Sequence, residues 1–254
     1  MKLKTIASGS KGNCSIVLCD ETKFIIDMGI SYLTLKRSLE ENSLSFDQFT
    51  GILITHNHKD HISGLASLIK KTHIKVFIPI EMYDGIKEIV PKDRCEFIDD
   101  KFKTNDTEIE LIHTSHDAPY SIGFIITQNE KSIVYVTDTG YINVKYFEKL
   151  KNKKIYIFES NHDVEMLMNG KYRHELKVRI LGDRGHLSNE MSSNYLSTLI
   201  GDKTECIILA HLSDENNTKE LAFNTLEKKL KETNIENKRI LIAEQLKRTD
   251  LIEI

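Results

Sequence analysis

At 254 residues, with 40% hydrophobic and 29% charged side chains, the chain is long enough for one large α/β domain or two small ones. No run approaches the roughly 18 apolar residues of a membrane-spanning helix, and residues 1–5 carry no apolar stretch of signal-peptide type, so a cytoplasmic, non-membrane protein is expected. Four cysteines without CxxC spacing (Cys14, Cys19, Cys95, Cys206) read as reduced, buried thiols, and a formal net charge of −3 gives no global pull toward polyanions.

In chain order, short apolar and β-branched runs predict strands over residues 3–7, 14–19 and 23–27, joined by the turn S-G-S-K-G-N and by Asp20-Glu21. Residues 31–42 have helical spacing, with Ser31 as N-cap and Leu33, Leu35 and Leu39 as the apolar face. A strand at 51–54, a helix over 61–71 (Ile62, Leu65 and Ile69 on one face) and a strand at 74–78 follow. The segment 80–101 carries no pattern that maps to chemistry. Residues 107–113, 121–127 and 132–137 form a strand meander, followed by a strand at 155–158, a helix over 188–200, a strand at 207–210 and a long amphipathic helix over 218–233. With three prolines, no repeat and no linker, the order reads as α/β, one unit over 1–254.

Residues 55–61 read T-H-N-H-K-D-H, directly after the apolar run Gly51-Ile52-Leu53-Ile54. Imidazole nitrogen and carboxylate oxygen suit zinc and similar divalent ions. A sharp turn after the strand lets His56 and His58 point one way and Asp60 and His61 the other, as two metals roughly 3.5–4 Å apart require. Further ligand types follow later strands: His116 in T-S-H-D-A, Asp138 in T-D-T-G, and His211 after E-C-I-I-L-A. Each stands where a rigid sheet can hold loops around one point. Asp27 is placed to support the metal loop from behind, since metal-bound histidines usually donate their other N–H to such a group. Gly9, Gly12 and Asn13 read as a tight turn between the first strands.

HxHxDH followed by single His, Asp and His positions resembles the metallo-β-lactamase fold superfamily. The resemblance implies an αββα sandwich of two mixed sheets flanked by helices. It implies His56, His58 and His116 around a first metal, Asp60, His61 and His211 around a second, and Asp138 bridging both. Asp60 stands in the catalytic set as well as the metal set. The stretch between Asp138 and His211 is too short for the β-CASP domain that RNA-cleaving relatives such as RNase J insert there.

Two further motifs narrow the branch: Glu159-Ser160-Asn161-His162-Asp163, and Asp183-Arg184-Gly185-His186-Leu187-Ser188-Asn189. With the opening S-G-S-K-G-N they resemble the YycJ/WalJ nucleases, over essentially the whole chain. By similarity to tRNase Z, Glu159 orients His186, which protonates the leaving group. The resemblance thus implies a metal-dependent 5′-to-3′ exonuclease with two divalent ions (zinc or manganese, with iron also compatible) and a nucleic-acid substrate, DNA rather than RNA. The basic stretch from Lys171 to Arg184 runs into a helix start at Ser188, so Arg179, Arg184, Ser188 and His162 are the candidate substrate contacts. A small-molecule hydrolase (thioester, lactone or cyclic phosphodiester) and a non-catalytic scaffold on the same fold are the alternatives. The Glu159–His186 pair and the basic stretch favour phosphodiester chemistry, because an acyl hydrolase needs neither. Metal identity, polarity and oligomeric state are not written in any short motif.

Overall fold

The structure, a computed structural model, describes residues 1–245 and 247–253. β1 (Lys2–Ala7), β2 (Cys14–Leu18) and β3 (Lys23–Ile26) form an antiparallel meander, followed by α1 (Tyr32–Glu40). β4 (Gly51–Leu53) adds in parallel to β3. After α2 (Lys59–Ile62) and α3 (Leu65–Lys71), β5 (Val76–Ile78) and β6 (Cys95–Phe97) extend the same sheet in parallel.

The second half repeats this plan. β7 (Lys101–Thr104), β8 (Thr107–His113), β9 (Ile122–Gln128) and β10 (Lys131–Val136) are antiparallel, and after α4 (Phe147–Leu150) β11 (Ile155–Glu159) joins β10 in parallel. α5 (Val164–Asn169), α6 (His174–Leu181) and α7 (Asn189–Leu199) lead to β12 (Cys206–Ala210). α8 (Lys219–Glu232), β13 (Arg239–Ile242) and β14 (Ile252–Glu253) follow. The result is two seven-stranded mixed sheets, β14-β1-β2-β3-β4-β5-β6 and β13-β12-β11-β10-β9-β8-β7, with helices outside: the expected αββα sandwich.

The strands are apolar on both faces because both faces are covered. In β11, Ile155 and Ile157 belong to the core between the sheets. Tyr156 and Phe158 lie under the outer helices with Leu196 of α7 and Leu226 of α8. Full burial of each such large side chain stabilises by about 1.5–3 kcal/mol. Leu35 and Leu39 of α1 and Leu65 and Leu68 of α3 cover the first sheet in the same way. The four cysteines are free and buried, and among the described residues no helix is long and apolar enough to cross a membrane.

Several elements differ from expectation. The helix expected over 61–71 is two, broken at Ser63-Gly64, because Gly64 N donates to Met28 O (2.8 Å) and any Cβ there would collide with Ile30 O. The strand expected at 74–78 begins at Val76. Segment 80–101 holds 3₁₀ turns, β6 and the start of β7, and its Gly85 lies against Asn57 of the metal loop. α5, α6 and the terminal strands β13 and β14 were not anticipated. α6 buries no residue, so it carries no clear core-facing stripe to be read.

Candidate metal centre

The candidate ligands collect at the ends of strands, as the sequence suggests. Asp27 follows β3, His56 lies shortly beyond β4, His116 beyond β8 and Asp138 beyond β10; Glu159 ends β11 and His211 follows β12. Asp27, Asp138 and His211 all adopt left-handed backbone, with φ of 60°, 56° and 57°. Such a conformation at a non-glycine residue is strained by of order 1–3 kcal/mol and persists where the surroundings over-determine it. Here the side chain is needed, so glycine cannot relieve the strain. Asp27 N is held by Leu53 O (2.9 Å) and His211 N by the Ser8 hydroxyl (2.8 Å).

Two clusters face each other. His56, His58 and His116 form the first, with His58 Nδ1 3.2 Å from His116 Nε2. Asp60, His61 and His211 form the second, with Asp60 Oδ2 3.5 Å from His61 Nε2 and 3.7 Å from His211 Nε2. Asp138 lies between them. Its Oδ2 is 3.3 Å from His61 Nε2 and its Oδ1 3.8 Å from His116 Nε2. The buried Nε2 atoms of His56 and His211 and Oδ2 of Asp138 have no hydrogen-bond partner within the protein. Unpartnered lone pairs converging in a buried site fit cations, because such atoms otherwise cost about 1–3 kcal/mol each.

Electrostatics points the same way. Burial would raise the Asp138 carboxyl, but His211 and His61 hold it well below the usual carboxylate range; Asp60 is likewise held down, against burial, by the neighbouring His211 and His61 rings. Burial lowers His56, so its imidazole stays neutral with a free lone pair. For His61 and His211 burial is outweighed by the surrounding carboxylates, which bring His211 up to about 10 and His61 well above its ordinary value. The clustered carboxylates therefore call for positive charge. Divalent ions satisfy that need by displacing the ring protons.

The supporting groups orient these rings. Asp27, fully buried, accepts from Thr55 N (2.8 Å), the Thr55 hydroxyl (2.8 Å) and His61 Nδ1 (2.8 Å), leaving His61 Nε2 facing the cluster. Asn13 N donates to Asp60 O (2.7 Å), and its side-chain amide lies 3.0 Å from His61 Nε2. Beside it, Gly29 passes so close to Asp60 O that any Cβ would collide, so the S-G-S-K-G-N turn and Gly29 together brace the metal loop.

Glu159 has a wider role than its sequence position indicates. Its Oε1 accepts from both His186 Nδ1 (2.8 Å) and His211 Nδ1 (2.9 Å), and its Oε2 from Thr139 N (2.9 Å) and Leu187 N (3.2 Å). Burial alone would raise this carboxyl, but His186 and these hydrogen bonds bring it down to about 2. The His186 ring, 20% exposed, lies with Nδ1 3.9 Å from Asp138 Oδ1, beside the clusters.

The four candidate substrate contacts fare differently. Arg184 donates from Nε to His116 O (3.2 Å) and, with Arg179, lines a pocket next to His116 and His186. Arg179 is already engaged by both Nε and one terminal nitrogen with Asp117, so it does not stand as a free phosphate clamp. Ser188 is buried and its hydroxyl accepts from Met191 N (3.2 Å), capping α7. His162 is buried beneath it, bridged to Ser188 through the backbone, and burial lowers its imidazole to about 4. Neither residue is in the lining of that pocket; both are buried where the loop after β11 meets the start of α7.

Sequence reasoning missed Asp117. Its Oδ1 lies 3.4 Å from His116 Nε2 and 3.7 Å from His58 Nε2, and it ties the first cluster to α6 through Arg179. Burial would raise this carboxyl, yet His116 and the Arg179 guanidinium hold it below its ordinary range. Its only signal in the sequence was adjacency to His116.

Comparison with known proteins agrees with this geometry. A family model described as a beta-lactamase superfamily domain matches residues 22–207. The chain is 36% identical over 238 residues to the exodeoxyribonuclease YycJ of Bacillus anthracis, covering 91% of this chain and 90% of that one. It is 34% identical over 241 residues to the exodeoxyribonuclease WalJ of Streptococcus pneumoniae, covering 92% and 90%. Human tRNase Z, short form, superposes over 100% of both chains with a TM-score of 0.64 at 15% identity, a likeness of fold. Paired mixed sheets, a His- and Asp-lined centre at their strand ends and these full-length relatives lead to one conclusion: the chain belongs to the beta-lactamase superfamily, with the metallo-β-lactamase fold, and is a metal-dependent hydrolase.

Proposed function

We propose that the protein is a nuclease that binds two divalent ions and removes nucleotides from the 5′ end of DNA, working in the cytoplasm. The observation that carries this reading is the placement of His186. Its ring is fixed by Glu159 at 2.8 Å, is 20% exposed and lines a pocket, next to Asp138 and His116. A proton donor so placed suits an alkoxide leaving group, which a thioester, leaving as a thiolate, does not present. The curated relatives, both named exodeoxyribonucleases, support DNA as substrate and action at a chain end.

In this reading His56, His58 and His116 hold one ion, Asp60, His61 and His211 the other, and Asp138 touches both. An all-N/O donor set accommodates zinc, manganese or iron. Such ions, when bound, make water nucleophilic at neutral pH and offset the charge that builds on phosphoryl oxygens. The protein supplies orientation. Asp27 fixes His61, Glu159 fixes His211 and His186, and His186 delivers its proton to the departing oxygen. Arg184, with no carboxylate partner within ion-pair distance among the described residues, is the cation available to a phosphate beside that oxygen. Incubating purified protein with Mn²⁺ or Zn²⁺ and strands labelled at either end, DNA and RNA in parallel, tests the proposal. Release of label from the 5′ end of DNA as mononucleotides is expected. Turnover of small esters with no cleavage of either nucleic acid would overturn it.

A further inference from the structure

The pocket beside His186 has a composition that the metal chemistry does not explain. It is a cavity of about 200 Å³, and one of its walls is Tyr172 together with Leu176 and Ile180. Leu176 and Ile180 are one turn apart on α6, so they share a face and form an apolar strip beside the Tyr172 ring. The remaining lining includes Arg179, Arg184 and His186. Since Arg179 is paired with Asp117, its charge is compensated, and Arg184 is the cation left to a ligand. An aromatic face with aliphatic flanks, next to a guanidinium and a proton donor, matches one chemical class: a nucleoside carrying a phosphate. At this size, below the roughly 300–1,000 Å³ of pockets for drug-sized ligands, it takes one nucleoside and not a length of strand.

We propose that this pocket seats the nucleoside at the 5′ end of the strand, its base on Tyr172, Leu176 and Ile180 and its 5′-phosphate at Arg184. The inference rests on the nuclease reading above and adds how the chain end is selected. With the terminal nucleoside in place, its 3′-oxygen lies toward His186. Water adds its hydroxyl to the phosphorus, the bond between phosphorus and that 3′-oxygen breaks, and the oxygen takes a proton from His186, which regains one from the attacking water. The products are a mononucleotide with a free 3′-hydroxyl and a strand with a new 5′-phosphate. That new end has the chemistry the pocket accepts, so removal repeats. α6 buries no residue of its own and is anchored by Arg179 to Asp117 and by Lys177 Nζ to Met168 O (2.7 Å) and Gly170 O (2.8 Å), so the wall is a small added element placed across the site.

The test compares 5′-phosphorylated single strands whose first nucleotide either carries a base or is abasic, using Mn²⁺-loaded protein. Base–aromatic stacking predicts that the abasic end is processed about 5- to 150-fold less efficiently in kcat/KM, mostly through KM. Tyr172→Ala should bring the base-to-abasic ratio near one, and Tyr172→Phe should restore it, which separates stacking from a folding defect. Equal processing of the two ends by the wild type, or a Tyr172→Ala defect of the same size on both, overturns the proposal. If no strand is cut at all, the nuclease reading has failed, and binding then judges the pocket. Deoxynucleoside 5′-monophosphate should bind the wild type about 5- to 150-fold more tightly than 2-deoxyribose 5-phosphate, and Tyr172→Ala should erase the difference. Equal affinities overturn it.

Discussion

Replacing Asp27 by Asn changes one atom behind the metal loop and should act through the tautomer of His61. Asn keeps the size of Asp and tolerates the left-handed backbone at φ 60°. The carboxylate accepts three hydrogen bonds, from Thr55 N, the Thr55 hydroxyl and His61 Nδ1, each at 2.8 Å. An amide has one acceptor oxygen, so its NH₂ must face either Thr55 N–H or His61 Nδ1–H. The second arrangement is relieved when His61 moves its proton to Nε2, the nitrogen that faces Asp60 and Asp138. A protonated Nε2 cannot ligate. Outer partners of metal-binding histidines are typically worth about 10–100-fold in affinity, or about 1.4–2.8 kcal/mol. The loss should fall on the Asp60, His61 and His211 cluster, with the His56, His58 and His116 cluster nearly unaffected. Competition titration with a chromophoric chelator, with elemental analysis of the dialysed protein, should resolve one weakened ion and one retained. Two ions held as tightly as in the wild type, or both lost in parallel, would refute the reasoning.

Other expectations follow from the same geometry. Asp138→Ala should release both ions, because among the described residues that carboxylate alone lies near a histidine of each cluster; elemental analysis that still finds two per chain contradicts the bridge. His186→Ala should slow nucleic-acid cleavage by about 10²–10⁴-fold with metal content unchanged. A p-nitrophenyl phosphodiester, whose leaving group needs no proton, should be hydrolysed nearly as fast as by the wild type, and equal slowing of both substrates would assign His186 a structural part. Glu159→Gln should impair turnover and also weaken metal binding, since Oε1 holds both His186 and His211; a purely catalytic defect would show that the His211 contact carries no weight. Asp106 accepts from Glu21 N (3.0 Å) and from the Thr22 (2.7 Å) and Thr107 (3.0 Å) hydroxyls, tying the β2–β3 turn to the opposite sheet. Burial would raise its carboxyl, but these bonds hold it below the ordinary value, so its contribution is present above an unfolded pKa of about 3.9 and lost as pH falls through the lower folded value. Asp106→Asn should therefore lower Tm at pH 7 and narrow its gap to the wild type in acid; a gap independent of pH would remove Asp106 as the cause.

The ligand types were legible because metal chemistry concentrates rare residues at short spacing and at strand ends: His56, His58, Asp60 and His61 fall in one turn, and His116, Asp138 and His211 each follow an apolar run. The sandwich was legible in outline for a related reason, since strands buried on both faces read as unbroken apolar runs. The parts that escaped depend on contacts between distant segments. Gly64 breaks a helix because the chain at Met28 and Ile30 passes against it. α6 buries nothing, so no periodic stripe announced it, and it carries the apolar wall beside His186.

Composition and motif alone determined that this is an α/β chain with imidazole and carboxylate ligands in a set suited to divalent ions. Only the tertiary structure decided which basic residue beside His186 keeps no carboxylate partner among the described residues, because Asp117 takes Arg179 and leaves Arg184. It also decided that Glu159 serves two histidines at once, and that Ser188 and His162 lie inside the fold. The physical reason is that a side chain's chemical type is local, whereas its partners and its exposure are set by segments far away in the chain.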